Sequence, residues 1–162
     1  MEDSSLGEEK RLCVDDNLER QHRMLEFVEN LQDVDTYLGL RAAVEWKELT
    51  REQAEKALKN SLCILTAYED GRPVGMGRIV GDGAVICYVQ DLIVIPEKQK
   101  DGVGCVILKK LKKFVEKEGI PGTTMMFDLM CAKGREDFYK KHGFIARPTA
   151  DLGPGMIQYL EL

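Results

Sequence analysis

The sequence predicts a single α/β domain built on a mixed, mostly antiparallel sheet flanked by helices. Three observations carry this expectation. Short apolar runs rich in Val, Ile and Leu recur between Ser61 and Ile95, each bounded by a turn signal, as strands are. The run Ala84 to Ile95 leads through a glycine-bearing loop into a helical pattern, and a further apolar run, Met125 to Ala132, follows. Strand, helix, strand in that order is a βαβ unit, whose strands lie parallel. The length, 162 residues, suits one domain, and no repeat or linker divides the chain.

Residues 1–22 are rich in charge and poor in apolar side chains, and read as an N-terminal extension, disordered or a peripheral helix. The domain proper spans 23–162. Arg23 to Val28 is a first strand. Asp33 is placed to cap a helix running to Val44, with Tyr37, Leu38, Leu40 and Val44 as its apolar contacts. Thr50-Arg51-Glu52-Gln53 has the form of a capping box and starts a second helix to Lys59. Ser61 to Tyr68 and Pro73 to Val80 form a hairpin around the turn signal Glu69-Asp70-Gly71-Arg72. Gly75 and Gly77 in its second strand point to a close backbone approach.

Gly81-Asp82-Gly83 makes the next turn. Ala84 to Ile95 is a near-continuous apolar strand, as expected where both faces are covered. Pro96 ends it, having no N–H for a ladder. From Gly104 the spacing turns helical: Ile107, Leu108, Leu111, Phe114 and Val115 share one face, and lysines fill the other as far as Glu118. Ile120-Pro121-Gly122 breaks this helix. Met125 to Ala132 is a strand, Asp137 to His142 a short helix stopped by Gly143, and the stretches from Phe144 and from Met156 to Leu162 are final strands.

Chemistry concentrates at the loop Gln99-Lys100-Asp101-Gly102-Val103-Gly104. Backbone N–H groups at a helix start have no internal partner, the helix dipole adds partial positive charge, and glycine lets a ligand approach. Such a loop suits a phosphate or pyrophosphate. The helix start lacks G-x-G-x-x-G, and the chain opens with helices and a meander, unlike a dinucleotide fold.

That loop, following Val94-Ile95-Pro96, resembles the Q/R-x-x-G-x-G/A acyl-CoA motif of the GNAT superfamily of N-acetyltransferases. Downstream, Phe138-Tyr139-Lys140-Lys141-His142-Gly143-Phe144 resembles the same family's F-Y-x-x-x-G-F signature. The resemblance implies a sheet with a splayed central parallel strand pair, whose gap admits the pantetheine arm of acetyl-CoA. It also implies direct transfer of the acetyl group to an amine acceptor. The backbone of Leu92, Ile93 and Val94 would meet the acetyl-pantetheine. Gln99, Lys100, Asp101, Gly102, Val103 and Gly104 would hold the pyrophosphate, and Tyr139 would protonate the departing thiolate, a role that suits a phenol. Two departures from the family stand out: Asp101 puts a carboxylate in the loop, and Ala132 replaces a frequent asparagine.

Asp91 is the first candidate base, since a carboxylate in an apolar strand has its pKa raised if buried; the bland reading is a hydrogen-bonded bulge. Asp128 is the second candidate. Tyr139 read blandly is a core aromatic, and His142 a surface residue or a charge at a helix C-terminus. Glu45 and Trp46, between the first two helices, suit a cationic acceptor, although a lone tryptophan is more often core packing.

Net charge is −5, from 23 basic and 28 acidic residues. That argues against nucleic-acid binding, which needs a basic face. No apolar run approaches the ~20 residues of a membrane span, and the acidic start lacks a secretion signal. Five cysteines without a C-x-x-C pair give no zinc signature and suggest a reducing compartment. Three of them lie in predicted apolar strands as small core residues, and Cys105 sits at a helix start, where a thiol is more reactive. A cytoplasmic enzyme using acetyl-CoA and a small primary amine, without a metal, is the leading expectation. A non-catalytic acyl-CoA-binding module is the alternative. A homodimer paired through the C-terminal strand is a further expectation.

Overall fold

The computed structural model describes residues 25–162. The expectation for residues 1–22, and the start of the first-strand expectation at Arg23 and Met24, lie outside the described residues. Element order is β1 (Leu25–Glu29), α1 (Val34–Ala43), α2 (Arg51–Lys59), β2 (Cys63–Glu69), β3 (Arg72–Gly81), β4 (Ile86–Val94), a 3-10 turn (Pro96–Lys98), α3 (Val103–Glu118), β5 (Met126–Asp128) and α4 (Glu136–Lys141). The strands form one sheet in the order β1-β2-β3-β4-β5. The first three pairs are antiparallel and β4–β5 is parallel.

Local chemistry sets the boundaries. Asp33 caps α1 by accepting from the backbone N of Asp35 (3.0 Å) and Thr36 (3.2 Å). Thr50 and Gln53 form the reciprocal box at α2: Gln53 N donates to Thr50 Oγ1 (3.1 Å) and Thr50 N donates to Gln53 Oε1 (2.9 Å). Asp70 and Gly71 both take positive φ, 51° and 75°. A two-residue hairpin of primed type requires this, because its twist matches that of the strands.

The core lies between the sheet and its helices. Val103, Ile107, Leu108, Leu111 and Val115 of α3 are buried, as the spacing predicts. The two β3 glycines explain how α3 seats so closely. A Cβ at Gly75 would stand 2.8 Å from the Ile93 carbonyl oxygen and 3.1 Å from Ile107 Cδ1. At Gly77 it would stand 2.7 Å from Leu111 Cδ1.

The structure differs from the expectation at the C-terminal side. β5 covers only Met126–Asp128, and the stretches from Phe144 and from Met156 to Leu162 are not strands. An extended segment counts as a strand only when another strand satisfies its backbone. Residues 129–132 lose theirs because β4 bends away, and 156–162 pair with no strand among the described residues. Cys131, expected in the core, is exposed for the same reason, whereas Cys63 and Cys87 are buried.

Candidate active site

The site begins with the unequal lengths of the strand pairings. β3 pairs with β4 as far as Val94, whereas β5 pairs with β4 only over Ile86 to Tyr88. Past Tyr88, β4 therefore has a paired edge on one side and an open edge on the other. A cleft of about 780 Å³ occupies the gap, lined by Tyr88 to Val94, Leu129, Met130, Ala132, Gln99, Gly104, Phe138 and Tyr139, with Glu45 and Trp46 at one mouth. Leu92, Ile93 and Val94 thus all line this cleft.

The bend has a visible cause. Between Met76 and Arg78 the β3–β4 register shifts, and Asp91, opposite the shift, has φ 57°. A bulge with an αL residue bends a strand and re-aims the residues beyond it. The αL region is strained for most side chains but well tolerated by aspartate.

At Asp91 the structure favours the hydrogen-bonded bulge over the base, the two readings the sequence leaves open. Its side chain is fully buried, and both oxygens are engaged. Oδ2 accepts from the Tyr37 hydroxyl (2.6 Å) and Arg78 Nε (2.7 Å), and Oδ1 accepts from Arg41 Nη1 (2.7 Å) and Gln90 Nε2 (3.1 Å). A base must offer a free lone pair to the acceptor's proton. This carboxylate offers none, because two guanidiniums, a phenol and an amide already use them. Its geometry is that of an anchor joining α1, β3 and β4. Burial, followed by the bond to Asp91, pushes the Tyr37 hydroxyl above the ordinary phenol range, which keeps it a donor.

Arg41 extends this anchor to the cleft mouth. Nη2 donates to the Lys47 carbonyl (2.9 Å), and the guanidinium carbon lies 5.4 Å from the centre of the Trp46 ring. The sequence places Trp46 near an acceptor; it gives no sign that Arg41 already stacks on it.

At the other mouth, Lys100 and Gly102 take positive φ, 74° and 83°, and α3 starts at Val103 with no side chain capping it. The first-turn N–H groups are therefore free for an anion. Gly104 lines the cleft, and a Cβ there would approach Val94 Cγ2 to 3.4 Å and Phe138 to 3.7 Å, narrowing the entrance. Asp101 is exposed and does not line the cleft, so its charge faces solvent. Gln99 turns inward as a bridge: its Nε2 donates to the Val94 carbonyl (3.0 Å), and its Oε1 accepts from Arg135 Nη2 (3.1 Å). Arg135, which the motifs do not mark, thus ties the β5–α4 turn across the entrance.

Tyr139 lies between the mouths. It packs edge-on to Phe138 (5.0 Å between centres) and Phe144 (5.8 Å), and burial pushes its phenol up to about 12. Tyr139 is thus packed in an aromatic cluster and also lines the cleft. His142 caps α4 and stacks on Phe138 at 4.9 Å; burial, then the nearby Lys109 and Lys112, lowers its pKa. That direction disfavours the helix-end charge, one of the two readings the sequence offers for His142. Asp128 is pushed up by burial, and its Oδ1 is buried without a hydrogen-bond partner. Among the described residues no group of His, Cys, Asp and Glu is arranged to hold a metal.

Residues 60–146 match the model of the acetyltransferase (GNAT) domain. This chain belongs to the GNAT acetyltransferase family. A GNAT-family acetyltransferase structure from Streptococcus pneumoniae superposes with a TM-score of 0.71 at 31% identity, covering 86% of this chain and all of that one. A Staphylococcus aureus structure gives 0.74 at 29% identity, over 84% of this chain and all of the other. Among curated proteins, the soybean "Histone acetyltransferase TAP1" is 28% identical over 134 residues, covering 75% of this chain and 56% of that protein. The Arabidopsis "GCN5-related N-acetyltransferase 1, chloroplastic" is 26% identical over 141 residues, covering 86% and 70%. The chain spans about half the length of most of the curated relatives it matches. These superpositions show the same fold, a mostly antiparallel sheet with one parallel pair.

Proposed function

We propose that this GNAT protein transfers an acetyl group from acetyl-CoA directly to the primary amine of a small molecule. One observation carries the proposal: a single cleft through the sheet with an uncapped helix start at one mouth, an aromatic–carboxylate rim at the other, and a protonated phenol between them.

The residues divide the work by position. The free N–H groups at the start of α3 suit a pyrophosphate, and the Gly104 side of the loop leaves room for it. The open edge of β4 from Leu92 to Val94 offers backbone groups to an extended arm, except the Val94 carbonyl, which Gln99 occupies in part. Bound acetyl-CoA supplies a thioester whose carbonyl an amine can attack. Tyr139 holds a proton through neutral pH and lies in the cleft wall, where it can pass that proton to the leaving sulfur. Trp46 and the exposed Glu45 make a rim that favours an organic cation. Much of the rate comes from holding both reactants in one narrow gap.

Removing the amine's proton falls to a group other than Asp91. Asp128 has the chemistry a base needs, a half-buried carboxylate with a raised pKa and one buried, unpartnered oxygen. Its register partner Tyr88 lines the cleft.

The test is transfer from acetyl-CoA to a panel of polyamines, arylalkylamines, amino sugars, amino acids and lysine peptides, read by mass spectrometry. We expect acetylation of a small amine that falls by about 10²-fold in Tyr139→Phe, the scale of one general acid. Transfer to lysine peptides alone overturns the small-molecule part. Binding of acetyl-CoA with no turnover on any acceptor favours the non-catalytic module.

A further inference from the structure

The sheet forks at Tyr88. This residue holds the last β4 position paired with β5, opposite Asp128, and beyond it the two strands part. The backbone ladder ends there, but the connection does not. The Tyr88 hydroxyl reaches forward and accepts from the backbone N of Met130 at 2.8 Å, two residues past Asp128. At about 3.3 Å of rise per residue, the side chain bridges the parting strands for roughly 7 Å beyond their last paired position. Tyr88, Leu129 and Met130 all line the cleft, so the bridge stands across its inner end.

A phenol can both accept and donate. Tyr88 accepts from Met130, and among the described residues nothing takes its own proton. Burial, opposed by the Met130 bond and helped by the charges of Asp128 and Asp91, holds this phenol above its ordinary range, so the hydroxyl stays a donor at neutral pH. Its place along β4 decides what it meets. The glycine loop and the start of α3 follow Val94, so an arm entering there and lying along Val94 to Leu92 brings its reactive end toward Asp91 and Tyr88. Tyr88 lies past that end, on the side left for the acceptor.

We propose that Tyr88 sets acceptor specificity: its hydroxyl donates to an oxygen carried by the acceptor and selects amines bearing a hydroxyl, ether or carbonyl group over plain alkylamines. The proposal rests on the acetyl-transfer reading given above and names its substrate class more closely. The Met130 bond fixes the donor, so the oxygen is read at a set distance from the reacting nitrogen. An acceptor without that oxygen leaves a half-buried O–H unpaired, and an unpaired polar group discriminates better than a difference in apolar contact. The Trp46 rim favours the cationic end of the same molecule, so amine and oxygen are recognised by different walls of one cleft.

Straight-chain amino alcohols and the alkylamines in which a methyl group replaces the hydroxyl form matched pairs for the test. Each is offered with acetyl-CoA to the wild type and to Tyr88→Phe for kcat/KM. Each is also titrated calorimetrically into the CoA-loaded protein, which reads binding without turnover. At one chain length or more the wild type should prefer the amino alcohol by about fivefold or more, the scale of one hydrogen bond. Tyr88→Phe keeps the ring and should lose the preference in both readouts, its amino alcohol values falling to those of the alkylamines. A wild type without preference at any length, absence of binding included, overturns the inference, as does a preference that survives in Tyr88→Phe. An equal fall for both members of a pair overturns it too, because Tyr88 then acts on the reaction or the fold and not on the acceptor's oxygen. Preferential binding without acetyl transfer sinks the proposed reaction and keeps the specificity role; transfer without preference does the reverse.

Discussion

Asp91→Asn separates an anchor from a base in one protein. Asparagine keeps the volume and tolerates αL backbone, so the bulge loses charge without gaining backbone strain. Two guanidiniums then lose their shared counter-ion, at Arg78 and Arg41 side chains only 10% and 12% exposed. Breaking a buried pair by removing one partner costs about 3–5 kcal/mol. Arg41 keeps its bond to the Lys47 carbonyl, and Arg78 keeps the Ser61 hydroxyl at 3.1 Å, which places the expected loss near the lower end, about 3 kcal/mol. Against a total of roughly 5–15 kcal/mol this is a large fraction, and it corresponds to a fall in Tm of about 6–12 °C for a domain of this size. Urea titration and calorimetry read the stability, and isothermal titration with acetyl-CoA reads the cleft. Adding Arg78→Gln to Asp91→Asn should cost less than the sum of the two single losses, because each single change strands a charge that the double change removes. A variant within about 1 kcal/mol of wild type, the net value of an ordinary hydrogen bond, yet inactive at every pH, would refute the anchor and restore Asp91 as the base.

Three other outcomes rest on the same geometry. With the Tyr139 phenol at about 12, the wild-type kcat profile should show no falling alkaline limb below about pH 10, the ordinary phenol range; a limb there would remove Tyr139 from the acid role. The linkage has a matching sign. The native phenol holds its proton more tightly than the unfolded one, so stability present below about pH 10 is lost as pH rises toward about 12, and Tyr139→Phe should flatten that loss in urea midpoints. Gly104→Val places branched carbons beside Val94 and Phe138, and should raise KM for acetyl-CoA by tenfold or more, about 1.4 kcal/mol, while leaving Tm nearly unchanged. Gly75→Ala sets a methyl 2.8 Å from the Ile93 carbonyl oxygen and should cost about 1–3 kcal/mol by overpacking, read from the urea midpoint.

The parts of this fold that rest on short-range chemistry were legible in the sequence. Thr50 and Gln53 three residues apart cap α2, and the heptad-like apolar spacing of α3 buries the face it predicts. Asp70-Gly71 forms the hairpin because only a few residue types accept two positive φ angles in succession. The end of β5 was not legible, because Met125 to Ala132 is largely apolar and only the bend in β4 decides how much of it finds a partner. The glycine turn that starts α3 could be read from its sequence, whereas Arg135 could not, since an arginine in a turn has no signal until Gln99 is known to face it.

Asp91 shows why a residue's type and strand position cannot give its role. An acidic residue in an apolar strand must be a strained outlier, a base or half of a buried pair. The choice among them lies in partners 54, 50 and 13 positions away, Tyr37, Arg41 and Arg78. Once these are known, the same residue explains both mouths of the cleft. Its backbone turns β4 away from β5 and opens the gap, while its carboxylate holds the guanidinium that lies over Trp46 at the far rim; under the proposed function these are the acetyl-CoA and acceptor sides of the cleft. A substitution at Asp91 should therefore weaken acetyl-CoA and acceptor together, whereas one at Gly104 or Trp46 should weaken only one of them. Measuring both KM values in each variant distinguishes a shared anchor from two independent subsites: parallel shifts for Asp91→Asn support the coupling, and a shift in one value alone refutes it.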